Sequence, residues 1–130
     1  SFIKATNLNE NLPLINFPSN NLRAGISYEF SKPIAVGKKS LENLTLELTN
    51  QYVFMQKNIL EGQDFVLPPN DYNLLGFKIA TDIKLKKTLL RLTAKVDNIL
   101  NETYRDYLNR QRYFADDLGR NIVIGANFNF

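Results

Sequence analysis

Over the last ten residues of this chain, apolar side chains fall on every second position: Ile122, Ile124, Ala126, Phe128 and Phe130, with Val123, Gly125, Asn127 and Asn129 between them. Successive side chains of a β-strand point to opposite faces, so this pattern predicts a strand with one apolar face and one small or polar face. The alternation recurs four more times. Residues 21–30 set Leu22, Ala24, Ile26, Tyr28 and Phe30 against Arg23, Gly25, Ser27 and Glu29. Residues 44–55 set Leu44, Leu46, Leu48, Tyr52 and Phe54 against Thr45, Glu47, Thr49 and Gln51. Residues 73–85 set Leu75, Phe77, Ile79, Ile83 and Leu85 against Gly76, Lys78, Ala80, Asp82 and Lys84. Residues 88–100 set Leu90, Leu92, Ala94, Val96 and Leu100 against Arg91, Thr93, Lys95 and Asp97. A partial sixth segment, 2–6, precedes them.

These segments run ten to thirteen residues. A tilted strand needs about 9–11 residues to cross a hydrocarbon layer, whereas strands of soluble domains centre on about 5–6. The connections also alternate. Short links, 31–40 and 86–87, separate long ones, 7–20, 56–72 and 101–120. Long loops on one side and short turns on the other are the habit of transmembrane barrels. The 31–40 link is rather long for such a turn. Pro13, Pro18, Pro68 and Pro69 lie in the long links, where a missing backbone donor breaks no ladder. A strand ending on Phe-x-Phe at an open edge invites aggregation in water; in a closed barrel that edge is paired. The expected fold is therefore all-β, an antiparallel transmembrane β-barrel. A soluble β-sandwich or lipocalin-like module, with its polar face in water, accounts for the alternation too. Within 101–113 a helical turn is conceivable, but no apolar stripe supports it.

Composition narrows the chemistry. Cysteine and histidine are absent, which removes disulfides, thiolate metal sites and the commonest general base. Ser19, Ser27, Ser31 and Ser40 therefore have no histidine partner, and neither a glycine-rich phosphate loop nor a metal-ligand cluster is evident. The expectation is a protein that is not an enzyme and carries no cofactor or metal. A net charge of +3 is too dilute to argue for nucleic acid. No apolar run reaches the roughly 18 residues of a membrane helix. Ser1-Phe-Ile-Lys-Ala-Thr6 reads as strand interior rather than as a secretory leader, so the chain is expected to be a piece of a longer one.

The link 101–120 is dense in arginine and tyrosine. Arg105, Arg110, Arg112 and Arg120 supply planar donors suited to carboxylate or phosphate, and Tyr104, Tyr107, Tyr113 and Phe114 supply flat amphipathic area. One reading makes Arg105, Tyr107, Arg110, Arg112 and Tyr113 contacts for an anionic or aromatic ligand at a barrel mouth. The simpler one is self-contact, with arginines paired to Asp106, Asp116 and Asp117. The pair Asp116-Asp117 is a weak cation signal without a glycine-rich loop. Lys84, Lys86 and Lys87 fit a solvated turn. Glu47, Asp82, Asp97, Lys78, Arg91 and Lys95 are placed for cross-strand pairing on an inner wall.

The stretch Val96-Asp-Asn-Ile-Leu-Asn-Glu-Thr-Tyr104, then Tyr107-Leu-Asn109, Gly119-Arg-Asn121 and a last strand ending Phe128-Asn-Phe130 resembles the carboxy-terminus of TonB-dependent outer-membrane receptors. Leu12-Pro-Leu14, Pro18 and Leu22-Arg-Ala-Gly-Ile-Ser-Tyr28 resemble an earlier stretch of the same barrels, and residues 104–121 look most like receptors of Bacteroidetes-type bacteria. The resemblance implies a barrel of about 22 strands with a plugged lumen, of which residues 1–130 are the last five to six strands. The plug domain and earlier strands would lie outside this chain. It further implies residence in the outer membrane of a Gram-negative cell and TonB-coupled import of a scarce nutrient such as a ferric siderophore, haem, cobalamin or glycan. Implied partners are outer-membrane lipid, the plug, the TonB complex through the missing amino-terminal part, and the barrel assembly machinery. Gly125, Phe128 and Phe130 match the family's assembly signal. A porin or a barrel enzyme shares the strand rhythm alone.

Overall fold

The alternating segments pair into one antiparallel sheet. The computed structural model describes all residues except Ile15, Lys38, Glu61, Gln63, Lys86, Lys87 and Phe130, with Asn129 described by its backbone. Its strands are β1 (Thr6–Asn7), β2 (Leu12–Pro13), β3 (Asn21–Glu29), β4 (Ile34–Val36), β5 (Lys39–Val53), β6 (Tyr72–Leu85), β7 (Thr88–Asp97) and β8 (Asn121–Asn129). β3, β5, β6, β7 and β8 lie side by side in that order, and β4 also pairs with β5, making a six-stranded sheet. Among the described residues the sheet is open, with β3 and β8 outermost. A two-stranded ribbon of β1 and β2 stands apart. The chain is thus all-β, and the one helical turn among the described residues is 3₁₀, at Arg110–Tyr113.

Three elements differ from the alternation pattern. Residues 2–6 form no strand of the main sheet; only Thr6 enters a ribbon, opposite Pro13. The 31–40 link is not a plain connection. β4 folds back on β5 with Ala35 opposite Ser40 and Val36 opposite Lys39, so the turn itself shrinks to a few residues around Gly37, at φ +61°. β5 also begins earlier than its apolar pattern, because a register shift between Glu42 and Thr45 breaks the alternation there. Asn43 sits at that break with φ 51°, a left-handed conformation asparagine tolerates better than most residues.

Register fixes two faces. One apolar row runs Tyr28, Leu46, Ile79, Ala94, Ile124, and the next runs Ile26, Leu48, Phe77, Val96, Ile122. On the opposite face runs the row Ser27, Glu47, Lys78, Lys95, Val123. Every buried residue of the main strands, namely Val53, Tyr72, Gly76 and Asp82, lies on the polar face. The apolar face has none. Ile26 is 70% and Ile124 80% exposed, while Leu46, Phe77 and Leu92 are half-buried by their neighbours in the sheet. No other strand or helix of the described residues packs across them. A soluble sheet buries its apolar face and wets the polar one; here, among the described residues, the apolar face has no buried residue and the few buried strand residues lie on the polar face.

Two asparagines interrupt the apolar face near the long-loop end. Asn50 donates to Asn73 Oδ1 at 2.8 Å, so each satisfies part of the other's hydrogen-bonding need. Aromatic rings gather at both ends of this face. Tyr52 and Phe54 pack edge to face at 4.9 Å, with Phe2 5.8 Å from Phe54, at the long-loop end. Tyr28 and Phe30 pack likewise at 4.9 Å at the other end.

Candidate functional site

All the long connections leave the same end of the sheet, where Asn21 faces Val53, Val53 faces Tyr72, and Asp97 faces Asn121. Residues 98–120 form one of them, and their fold follows from a few side chains. Asn98 is buried at φ 52°, accepts from the Glu102 amide and donates to the Glu102 carbonyl, both at 2.8 Å. Asn101, at φ 56°, accepts from the Arg120 amide at 2.9 Å. Its Oδ1 lies 2.7 Å from where a β-carbon on Gly119 would sit, so only glycine fits there without movement. Arg120 Nε closes the neck by donating to the Ile99 carbonyl at 2.9 Å.

Above this neck, Asp117 accepts from the Asp106 amide and from Asn109 Nδ2, each at 2.7 Å. Asp106 accepts from the Tyr72 hydroxyl at 2.9 Å. The rings of Tyr72 and Tyr104 lie 4.6 Å apart. Burial, reinforced by Asp117 and Asp106, pushes the Tyr104 phenol above its ordinary value. Asn109 caps the 3₁₀ turn by accepting from the Gln111 amide at 3.0 Å.

Arg112 lies in that turn and joins the two long loops. It is 3% exposed. Its guanidinium donates to Asp64 in the 54–71 loop and lies 4.8 Å from the Tyr107 ring and 4.6 Å from the Tyr113 ring. The Tyr113 hydroxyl donates to the other Asp64 oxygen at 2.6 Å. Burial acts to raise the Asp64 carboxyl, but Tyr113 and Arg112 outweigh it and hold it below its ordinary range. The same bond to Asp64 raises the Tyr113 phenol. Arg105 pairs with Asp116 and donates to the Arg112 carbonyl at 2.8 Å.

Of the residues singled out as ligand contacts, Tyr107 and Arg112 are therefore buried and engaged in the packing of the loops themselves. Arg105 and Tyr113 are half-buried and Arg110 is exposed. Self-contact accounts for Arg105 with Asp116, but the acid that meets Arg112 comes from the other loop. Asp116 and Asp117 are both occupied, and no cluster of metal-ligating side chains occurs among the described residues. The lysines at 86 and 87 lie outside the described residues, as does Phe130.

The sheet's polar face carries three shallow cavities. One of about 490 Å³ includes Glu29, Asn43, Glu47, Lys78 and Arg91, and one of about 610 Å³ includes Arg23, Gly25, Lys95 and Asp97. The third, about 290 Å³, lies where Tyr104 and Leu118 of the loop lean over Arg23, Thr49 and Asn121. The expected cross-strand pairing is present. Asp82, 1% exposed, accepts from Arg91 Nε at 2.7 Å and Nη2 at 2.8 Å, and from Asn43 at 2.9 Å. Glu47 meets Lys78 across the strands at 3.8 Å, whereas Asp97 pairs within its own strand, with Lys95 at 2.9 Å.

Phe128 is exposed at the edge strand. Gly125 has a local reason to be glycine, since a β-carbon there would lie 2.7 Å from Thr93 Oγ1. Comparison with known proteins returns no match to a family model, a curated protein or a solved structure.

Proposed function

We propose that this chain is the carboxy-terminal part of a transmembrane β-barrel in the outer membrane of a Gram-negative cell, and that the barrel belongs to a TonB-dependent receptor importing a scarce nutrient. The membrane half of the reading rests on one observation, the inverted burial of the sheet. Its apolar face is uncovered and its buried residues sit on the polar side. Acyl chains satisfy such a face and water does not. Dimensions agree. β5 and β6 have 15 and 14 residues, roughly 45–50 Å of strand, or about 30–35 Å of height at the 45° tilt usual in a bilayer. Aromatic pairs at both ends of the apolar face are placed as interfacial girdles.

The receptor half rests on the resemblance of the 96–104 and 119–130 stretches. In this chain the first and the start of the second hold the neck of a long loop: Asn98, Asn101, Gly119 and Arg120. With about five or six strands the sheet is too narrow to close alone, since barrels start at about eight. Further strands, a plug and the TonB-contacting segment belong to the remainder of the receptor. The polar wall faces plug and solute path, the joined loops face outward and contact the nutrient, and the protein works by binding and translocation rather than by catalysis. Fractionation tests the membrane placement. Tagged full-length protein, carrying these strands with the rest of its barrel, should sediment with outer membranes when expressed in a Gram-negative cell, resist alkaline carbonate and dissolve in detergent. A folded, monodisperse protein in detergent-free buffer would overturn it.

A further inference from the structure

The junction of the two long loops holds a feature that the self-packing of the loops does not explain. Arg112 Nη1 is shielded from solvent yet has no hydrogen-bond partner among the described residues. Leaving a buried cationic donor unmet is costly, more so than for a neutral group. Arg105, against the Arg112 carbonyl, uses Nε for Asp116 and Nη1 for that carbonyl, and its side chain is 42% exposed. Both arginines line one cavity of about 590 Å³ whose remaining wall is largely apolar: Phe65, Val66, Leu67 and Pro68. Phe65 and Leu67 are 96% and 86% exposed.

We infer that this cavity takes a ligand with an oxyanion at one end and an apolar body at the other. The chemistry of the lining sets the class. Two arginines lining one cavity offer planar, charge-assisted donors to a carboxylate or phosphate. Phe65, Val66 and Leu67 offer exposed apolar surface. Asp64 and Asp116 already balance the two arginine charges, so the site does not act by long-range attraction. It acts by short donor contacts from the arginines, and the apolar wall supplies the remaining affinity. This deepens the receptor reading and rests on it for biological meaning, while the binding itself depends only on the two loops.

The test uses the full-length receptor that carries these strands, in detergent micelles, with insertion into lipid vesicles scored first on the same preparation. Isothermal titration is run with 4-phenylbutyrate, with phenethyl phosphate, and with the uncharged 4-phenylbutanamide. Saturable binding is expected for at least one acid, weakened about tenfold or more in the amide, the loss of one charge-assisted hydrogen bond. Which acid binds tighter separates a carboxylate from a phosphate ligand. Arg105→Gln and Leu67→Ser alter half-exposed or exposed side chains and leave Arg112 paired; each should weaken the acid without changing the circular dichroism. Absence of saturable binding to both acids, equal binding of acid and amide, or indifference to Arg105→Gln overturns the inference. A protein that inserts but does not bind refutes this inference alone, and one that binds but stays out of vesicles refutes the membrane reading alone.

Discussion

Asp64 and Arg112 stand 48 positions apart in the chain and meet as an ion pair inside the loop junction, with Tyr113 donating to the same carboxylate. Removing one member of a buried pair strands the other charge, a cost of about 3–5 kcal/mol in measured cases. Asp64→Ala should therefore release the 54–71 loop from the 98–120 loop while the sheet persists. Limited proteolysis should show new cleavage near residues 57–67, and Arg112→Ala should give the same pattern. In the double variant the effects should fall well short of additive, because one contact is lost in each case.

The same pair responds to acid in one direction. The Asp64 carboxyl is held below its ordinary value of 3.8 in the folded loops. Its ionised form thus stabilises the junction above that value, and the contribution disappears as pH falls through the lower folded value. Protection of the 98–120 amides, measured relative to their intrinsic exchange, should be unchanged between pH 7 and 5 and should fall only below about 3.8. Loss of protection already near pH 6 would point to another group.

The loop neck depends on Asn98 in a left-handed conformation with both amide atoms engaged. Asn98→Ala loses two hydrogen bonds and strains the backbone, about 2–4 kcal/mol together. Asn98→Gly keeps the conformation and loses only the bonds, so it should be the milder change. Chemical denaturation of the loop, followed by the Tyr72–Tyr104 pair, orders the two variants.

Thr93 Oγ1 occupies the space a β-carbon on Gly125 would need, at 2.7 Å, and Thr49 stands in the same relation to Gly76. Gly125→Ala should cost about 1–3 kcal/mol through overpacking between β7 and β8. Thr93→Ala in the same chain should restore most of it. If folding yield stays low with Thr93 removed, while insertion by cell extracts is specifically impaired, Gly125 acts in assembly rather than in packing.

The strands were legible because their pattern is strict. Ile122 to Phe128 and Leu75 to Leu85 alternate with few breaks, and an alternating face specifies register strongly. β4 was hidden because Ile34-Ala-Val36 is too short to show a period, and the break at Asn43 because a left-handed residue leaves no hydropathy signal. Asn50 and Asn73 look like errors on an apolar face until they are seen to bond each other. The self-contact of the arginine-rich loop was legible from its balance of Arg and Asp. The partner of Arg112 was not, since nothing local marks Asp64 as the acid that meets it. Burial of Tyr107 and Arg112 was equally out of reach, because an arginine–tyrosine cluster has one composition whether it faces a ligand or its own loop.

The apolar face is where the whole account is most exposed. These 130 residues hold no cysteine, so in the full-length barrel, with any cysteine elsewhere replaced, single-cysteine spin labels are placed at Ile26, Leu48 and Ile124 and, on the other face, at Ser27, Glu47 and Lys95. After reconstitution in lipid vesicles, collision with dissolved oxygen and with a water-soluble nickel chelate is measured at each site. The apolar set should favour oxygen and shun nickel, with the polar set showing the opposite. Nickel reaching both sets, or both reagents failing to reach the apolar set, would place these side chains in water or in a protein interior and contradict the membrane barrel.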